Sequence, residues 1–106
     1  MVIYISSPYT NGCQARNVHE QIEAAHRIID MGHCPFVPNM NHFLDISHPR
    51  PYEEWMRLDL EIIGKCDVVL RLPGVSPGAD REVDLACKLG IPVAFGWVEL
   101  EERLAK

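Results

Sequence analysis

Apolar residues in this chain fall into short unbroken runs, separated by longer stretches in which they recur every three to four positions. The runs Val2 to Ser6, Cys34 to Val37, Val68 to Leu72 and Ile91 to Phe95 predict buried strands. Between the first two, Val18, Ile22, Ala25 and Ile29 recur at helical spacing within about Cys13 to Met31, and Gly32 is placed to end that helix. Tyr52 to Ile63 predicts a second helix, with Pro51 at its start and Gly64 at its end. Gly78 to Leu89 predicts a third, ended by Gly90, and the tail Val98 to Lys106 a short final one. Strict alternation of strand and helix predicts one α/β domain over residues 1–106. Its expected form is a doubly wound parallel sheet of about four to five strands, flavodoxin- or Rossmann-like, with helices on both faces and right-handed crossovers.

Two helices violate their own pattern, each with an acid. Around the third helix, Ala79, Val83, Leu85, Ala86, Cys87 and Leu89 form a broad apolar arc opposite Asp80, Arg81, Asp84 and Lys88, yet Glu82 lies inside the arc. Around the second, Asp59 sits near the middle of the arc of Trp55, Met56, Leu60, Ile62 and Ile63, opposite Glu53, Glu54, Arg57 and Glu61. Taken singly, Glu82 reads equally as a surface residue at a stripe edge, and Asp59 as a capping or salt-bridging acid. Two successive helices with one inward acid each point instead to a pair with a task, since a carboxylate facing an interior needs a partner or a function. Paired carboxylates are what cleavage of a glycosidic bond requires.

The surroundings of these acids suggest a ligand. Strand Val68 to Leu72 turns through Pro73, Gly74, Ser76 and Pro77 into the helix that carries Glu82. Such a corner presents backbone N–H groups and the positive helix end, so Gly78 and Ala79 are candidates to hold an anion such as phosphate. The loop Ser7-Pro8-Tyr9-Thr10-Asn11-Gly12 follows the first strand, at the sheet edge where open α/β folds bind ligands; the plain alternative is an ordinary connection. Pro38 to Pro51 is irregular and long for a connection, as lids and subunit contacts are. Asn39, Asn41, His42 and Phe43 are expected at the pocket border, the alternative being that Phe43, Leu44 and Ile46 close the core or meet a neighbouring subunit.

Composition narrows the class. Ten Lys and Arg against fifteen Asp and Glu give a net charge of −5 with no basic cluster, which argues against a nucleic-acid partner. No run approaches membrane-spanning length and no leader pattern precedes the first strand, so a cytoplasmic protein without a membrane partner is expected. Cys13, Cys34, Cys66 and Cys87 have apolar neighbours and no C-x-x-C spacing; most are expected to be buried thiols. His19 and His26 are expected at a solvent edge. No metal site is predicted, the residual candidate being His42 and His48 with Cys34 or Asp45.

Three segments, VIYISSPYT, DLEIIGKCDVVLRLPG and SPGADREVDLA, together resemble the nucleoside 2-deoxyribosyltransferase superfamily, which includes the 2-deoxynucleoside 5-monophosphate N-hydrolases. The resemblance covers most of the chain and is most specific from Asp59 to Ala86. It implies that Glu82 is the nucleophile attacking the anomeric carbon, that Asp59 orients the sugar or assists proton transfer, and that Tyr4 contributes to the sugar pocket. It further implies that the loop Ser6 to Tyr9, with Ser7, Pro8 and Tyr9, approaches the substrate, in the hydrolases often its 5-phosphate. Ser76 matches a position that is serine in the monophosphate hydrolases, where it helps hold phosphate, and aspartate in some transferases. The hydrolases carry an arginine in the first loop, whereas the nearest positions here are Tyr9 and Thr10. The implied ligand is a nucleoside or nucleotide, with no cofactor, in a homodimer or larger even assembly. The rival readings are a nucleotide-binding module without turnover, favoured by the missing arginine, and a phosphoribohydrolase of the cytokinin-activating type, whose arginine and double-glycine pattern is absent.

Overall fold

The computed structural model describes residues 1–105; Lys106, the end of the expected tail helix, lies outside the described residues. The chain forms β1 (Val2–Ser6), α1 (Gln14–Asp30), β2 (Cys34–Phe36), α2 (Asn41–Ser47), α3 (Tyr52–Ile63), β3 (Val68–Arg71), α4 (Pro77–Lys88), β4 (Val93–Phe95) and α5 (Trp97–Leu104), with a 3-10 turn at Pro38–Met40. The predicted strands and helices are all present, with ends shifted by a residue or two. β4 begins later than its apolar run because Pro92 has no N–H to donate, although its carbonyl still accepts from Val69.

The main departure is α2. Residues 38–51, expected to be irregular, hold a 3-10 turn that runs directly into two turns of helix. No residue of α2 is buried, so the segment carries no core-facing stripe for periodicity to detect. Phe43, Leu44 and Ile46 point outward, at 54, 59 and 66% exposure, and do not close the core.

The four strands are parallel in the order β2-β1-β3-β4. Because successive residues of a strand face opposite sides, the sheet sorts its own side chains. Ile3, Ile5, Val68 and Leu70 pack with Ala24, Ala25 and Ile28 of α1 and Leu100 of α5. Tyr4 and Val69 pack with Ile63 of α3 and Ala86 of α4. The doubly wound α/β fold expected from the sequence is thus formed, with α1 and α5 on one face and α3 and α4 on the other. Connections leave β1 and β3 in opposite directions, so the crevice beyond their carboxyl ends is the topological switch point where such sheets bind ligands.

Two burial expectations are corrected. The buried face of α1 is Val18, Gln21, Ala24, Ala25 and Ile28, and Ile29 lies outside it. Only Cys66 is buried. Cys13 at the start of α1, Cys34 on the edge strand β2 and Cys87 in the last turn of α4 are exposed free thiols, because each sits where an element meets solvent.

Candidate active site

A cavity of about 280 Å³ opens at the switch point. One wall is built by the loop after β1 and the start of α4, the other by α3 and residues 38–45. Glu82 faces it from the second turn of α4, on the side turned to the sheet, and is only 5% exposed. Tyr4 and Ser6 are two positions apart on β1 and therefore point to the same face, directly at this carboxylate. The Tyr4 hydroxyl donates to Oε2 of Glu82, and Ser6 Oγ donates to Oε1 at 2.7 Å. Both carboxylate oxygens are held by neutral donors rooted in the central strand.

Asp59 reaches the same cavity from α3, and Asn41 Nδ2 donates to its Oδ1 at 3.1 Å. Burial and then the charge of Glu82 raise the Asp59 carboxyl to about 8, against the opposing bond from Asn41. Burial also raises Glu82, while the bonds from Tyr4 and Ser6 and the charge of Arg71 favour its ionised form. Tyr4 is pushed well above the ordinary tyrosine range, first by burial and then by Glu82 and Asp59, so it stays a donor. Burial raises both acids, but only Glu82 has two hydroxyl donors and Arg71 favouring its ionised form, so of the pair Glu82 is the better placed to carry the charge and Asp59 the proton. An ionised carboxylate facing a protonated one across a cavity can attack on one side of a bond and donate a proton on the other.

The rest of the cavity mixes polar side chains with apolar ones such as Pro38, Trp55 and Met56. Tyr9 Oη and His42 Nδ1 are bonded at 2.7 Å with their rings edge to face, and Trp55 Nε1 donates to Asp45 Oδ1 at 2.8 Å. Ser7, Asn39, Ser76, Gly78 and Ala79 also line it. Gly78 leaves room there for two side-chain ends: a Cβ would meet the Tyr52 hydroxyl at 2.7 Å and Met56 Cε at 3.0 Å, and both would have to shift. Three expected residues stand elsewhere. Tyr4 is wholly buried and reaches the cavity only through Glu82. Pro8 does not line it: its ring packs against Gly74, where an added Cβ would come within 2.6 Å of Pro8 Cγ. Phe43 turns outward, edge to face with His42. Among the described residues no group of three His, Cys, Asp or Glu side chains is placed to hold a metal ion, so His42, His48, Cys34 and Asp45 do not assemble into one.

The sequence reading missed the scaffold behind the loop. Gln21, wholly buried on α1, donates through Nε2 to the Ile5 carbonyl at 3.0 Å and to Ser7 Oγ at 2.8 Å, while its Oε1 accepts from the Asn39 N–H at 3.0 Å. Asn39 Nδ2 then donates to the Pro8 carbonyl, and Asn17 Nδ2 to those of Tyr9 and Asn11. A polar residue inside the apolar face of α1 is the same signal that marked Asp59 and Glu82. Ser6 was expected near the substrate, and its phase with Tyr4 on β1 could have shown that it meets the same carboxylate.

A family model described as "Domain of unknown function (DUF7768)" matches residues 1–96, and the chain belongs to that family. Among solved structures, it is similar to the 2-deoxyribosyltransferase of the psychrotolerant bacterium Bacillus psychrosaccharolyticus, with a TM-score of 0.66 and 26% identity over 89% of this chain and 70% of that one. No curated protein matches. No described helix is long and apolar enough to cross a membrane.

Proposed function

We propose that this member of the DUF7768 family cleaves the base–sugar bond of a nucleoside or nucleoside 5-monophosphate, with Glu82 as nucleophile. The observation that carries the reading is the Glu82 carboxylate at the cavity wall, bonded by Tyr4 and Ser6, with Asp59 lining the same cavity. Similarity to a 2-deoxyribosyltransferase supports the same chemistry. A Glu82 oxygen forms a bond to the anomeric carbon as the bond to the base nitrogen breaks. The electron pair leaves on the base, which takes the Asp59 proton, and a glycosyl ester of Glu82 remains. Water then attacks the same carbon, returns a proton to Asp59 and frees Glu82. If a second base attacks instead of water, the sugar is transferred. The hydroxyls of Tyr4 and Ser6 orient the attacking carboxylate, and they stabilise it again as leaving group when the ester breaks.

Met40, Phe43, Leu44 and Ile46, exposed apolar residues at the end of the 3-10 turn and on α2 beside the cavity, support a homodimer or larger even assembly in which a second copy covers this side. The test of function incubates wild type and Glu82→Ala with ribo- and deoxynucleosides and their 5-monophosphates and follows free base by chromatography. Base release by wild type that falls at least about 10³-fold in the variant is expected; release that survives the substitution removes Glu82 from the mechanism.

A further inference from the structure

The corner expected to take a phosphate is partly engaged by the protein itself. Pro77, the first residue of α4, has no N–H. Ser76 caps the helix: its Oγ accepts from the Ala79 N–H at 3.1 Å, and its carbonyl accepts from the Asp80 N–H at 3.0 Å. Only the Gly78 N–H is left in that first turn, and the Tyr52 hydroxyl lies against Gly78. The arginines on either side of the turn are committed. Arg71 donates to the carbonyls of Leu72 and Gly74 and pairs with Asp80, while Arg81 grips both oxygens of Glu53. The cavity itself is lined by three carboxyl side chains, Asp45, Asp59 and Glu82, and none of its described lining residues is Lys or Arg. A phosphomonoester would bring roughly two further negative charges into this acidic space and needs charge-assisted donors that are engaged elsewhere.

Building on the N-glycosidase reading, we infer that the substrate is the unphosphorylated nucleoside, with the sugar 5-hydroxyl free, and that the Ser76 corner is a helix cap and not a phosphate site. A neutral hydroxyl fits a lining of Ser7, Thr10, Asn11 and Ser76 without the cost of placing an anion beside Glu82.

The experiment compares kcat/KM for base release from each nucleoside and its own 5-monophosphate, using the full chain, wild type and Thr10→Arg. Thr10 is exposed, lines the cavity and lies in the first loop, so an arginine there supplies the missing cation. Wild type is expected to favour the nucleoside by at least about tenfold, the equivalent of one charged hydrogen bond. Thr10→Arg is expected to shrink that ratio by raising the monophosphate value. A wild-type preference for the monophosphate, or equal rates, overturns the inference while leaving the N-glycosidase reading intact. Ligand-induced shifts in Tm separate the two readings where no base is released by any substrate. Stabilisation by nucleosides and not by their monophosphates then supports the inference although the proposed activity fails. Stabilisation by monophosphates to the same or a greater extent, or by neither ligand, overturns it.

Discussion

The two walls of the cavity are built in opposite ways. On the sheet wall the carboxylate and the start of the loop beside it are tied to the core. Glu82 is held by Tyr4 and Ser6 of the central strand, and the loop beside it is fixed by the wholly buried Gln21. On the helical wall Asp59 is only half buried and takes its visible bond from Asn41 of α2, a helix with no buried residue. The rigid wall is where a nucleophile has to be placed within a fraction of an ångström. Under the proposed mechanism the helical wall supplies the proton to the leaving base, a role that can tolerate movement. The contrast says which substitutions act on chemistry, which on the fold and which on what covers the site.

The largest effect expected from the helical wall is that of Asp59→Asn. Removing the proton donor lowers base release by about 10²-fold or more while leaving ligand-induced stabilisation in place. In wild type the rate falls as pH rises through about 8, where Asp59 loses its proton, and this alkaline limb disappears in the variant. Stability follows the same group. The folded pKa, about 8, lies above the ordinary value of 3.8, so the folded state binds more protons than the unfolded state between those limits. The contribution is fully present below about pH 4 and is lost as pH rises through about 8. Tm measured from pH 5 to pH 9 is therefore expected to decline less in Asp59→Asn than in wild type. An unchanged pH slope would mean that Asp59 is ionised throughout and cannot serve as the acid.

On the sheet wall the matching test is Gln21→Leu, which keeps the side-chain bulk but leaves the Ile5 carbonyl and the Asn39 N–H buried without their partner. Each stranded group costs about 1–3 kcal/mol, so the fold should lose at least about 2 kcal/mol. That corresponds to a Tm lower by roughly 8 °C or more. Because the same residue positions Ser7 and Asn39, KM is expected to rise more than kcat falls. A variant with wild-type Tm would show that the loop is anchored by Asn17 and Asn39 without Gln21.

How much of this was legible follows from where each signal is written. Strands and long helices announce themselves because they bury a face, and the two acids stood out as exceptions to a burial pattern. α2 left no such mark, since all its residues stay partly or wholly exposed. Gln21 was readable by the rule applied to Asp59 and Glu82, but the phase assigned to α1 put Ile29 on the buried face in place of Ile28 and hid the exception. The cysteines misled because apolar neighbours in sequence say little about residues at element ends. The corner before α4 is ambiguous for a related reason. A Ser-Pro-Gly turn before a helix reads as an anion site and as a self-capped helix start alike, and the bond from Ala79 to Ser76, which the sequence does not reveal, is what favours the second.

The smallest effect on the isolated chain, and the sharpest on the comparison, is expected from α2. Phe43 and Leu44 are exposed by more than half, so replacing both with Asp should change monomer stability by no more than about 1 kcal/mol in total. If a second copy covers α2, two buried charges per protomer break that contact, and light scattering at micromolar concentration shows the mass fall to that of one chain. Base release should fall with it through KM, because Asn41 and His42 on the same helix face the cavity while Phe43 and Leu44 face outward. Tyr4 in the sheet and Glu82, held by it, would be undisturbed, leaving kcat at saturating substrate near wild type. A double variant that keeps both its mass and its KM would show that α2 is an ordinary solvated helix, and that the open side of the cavity works without a partner.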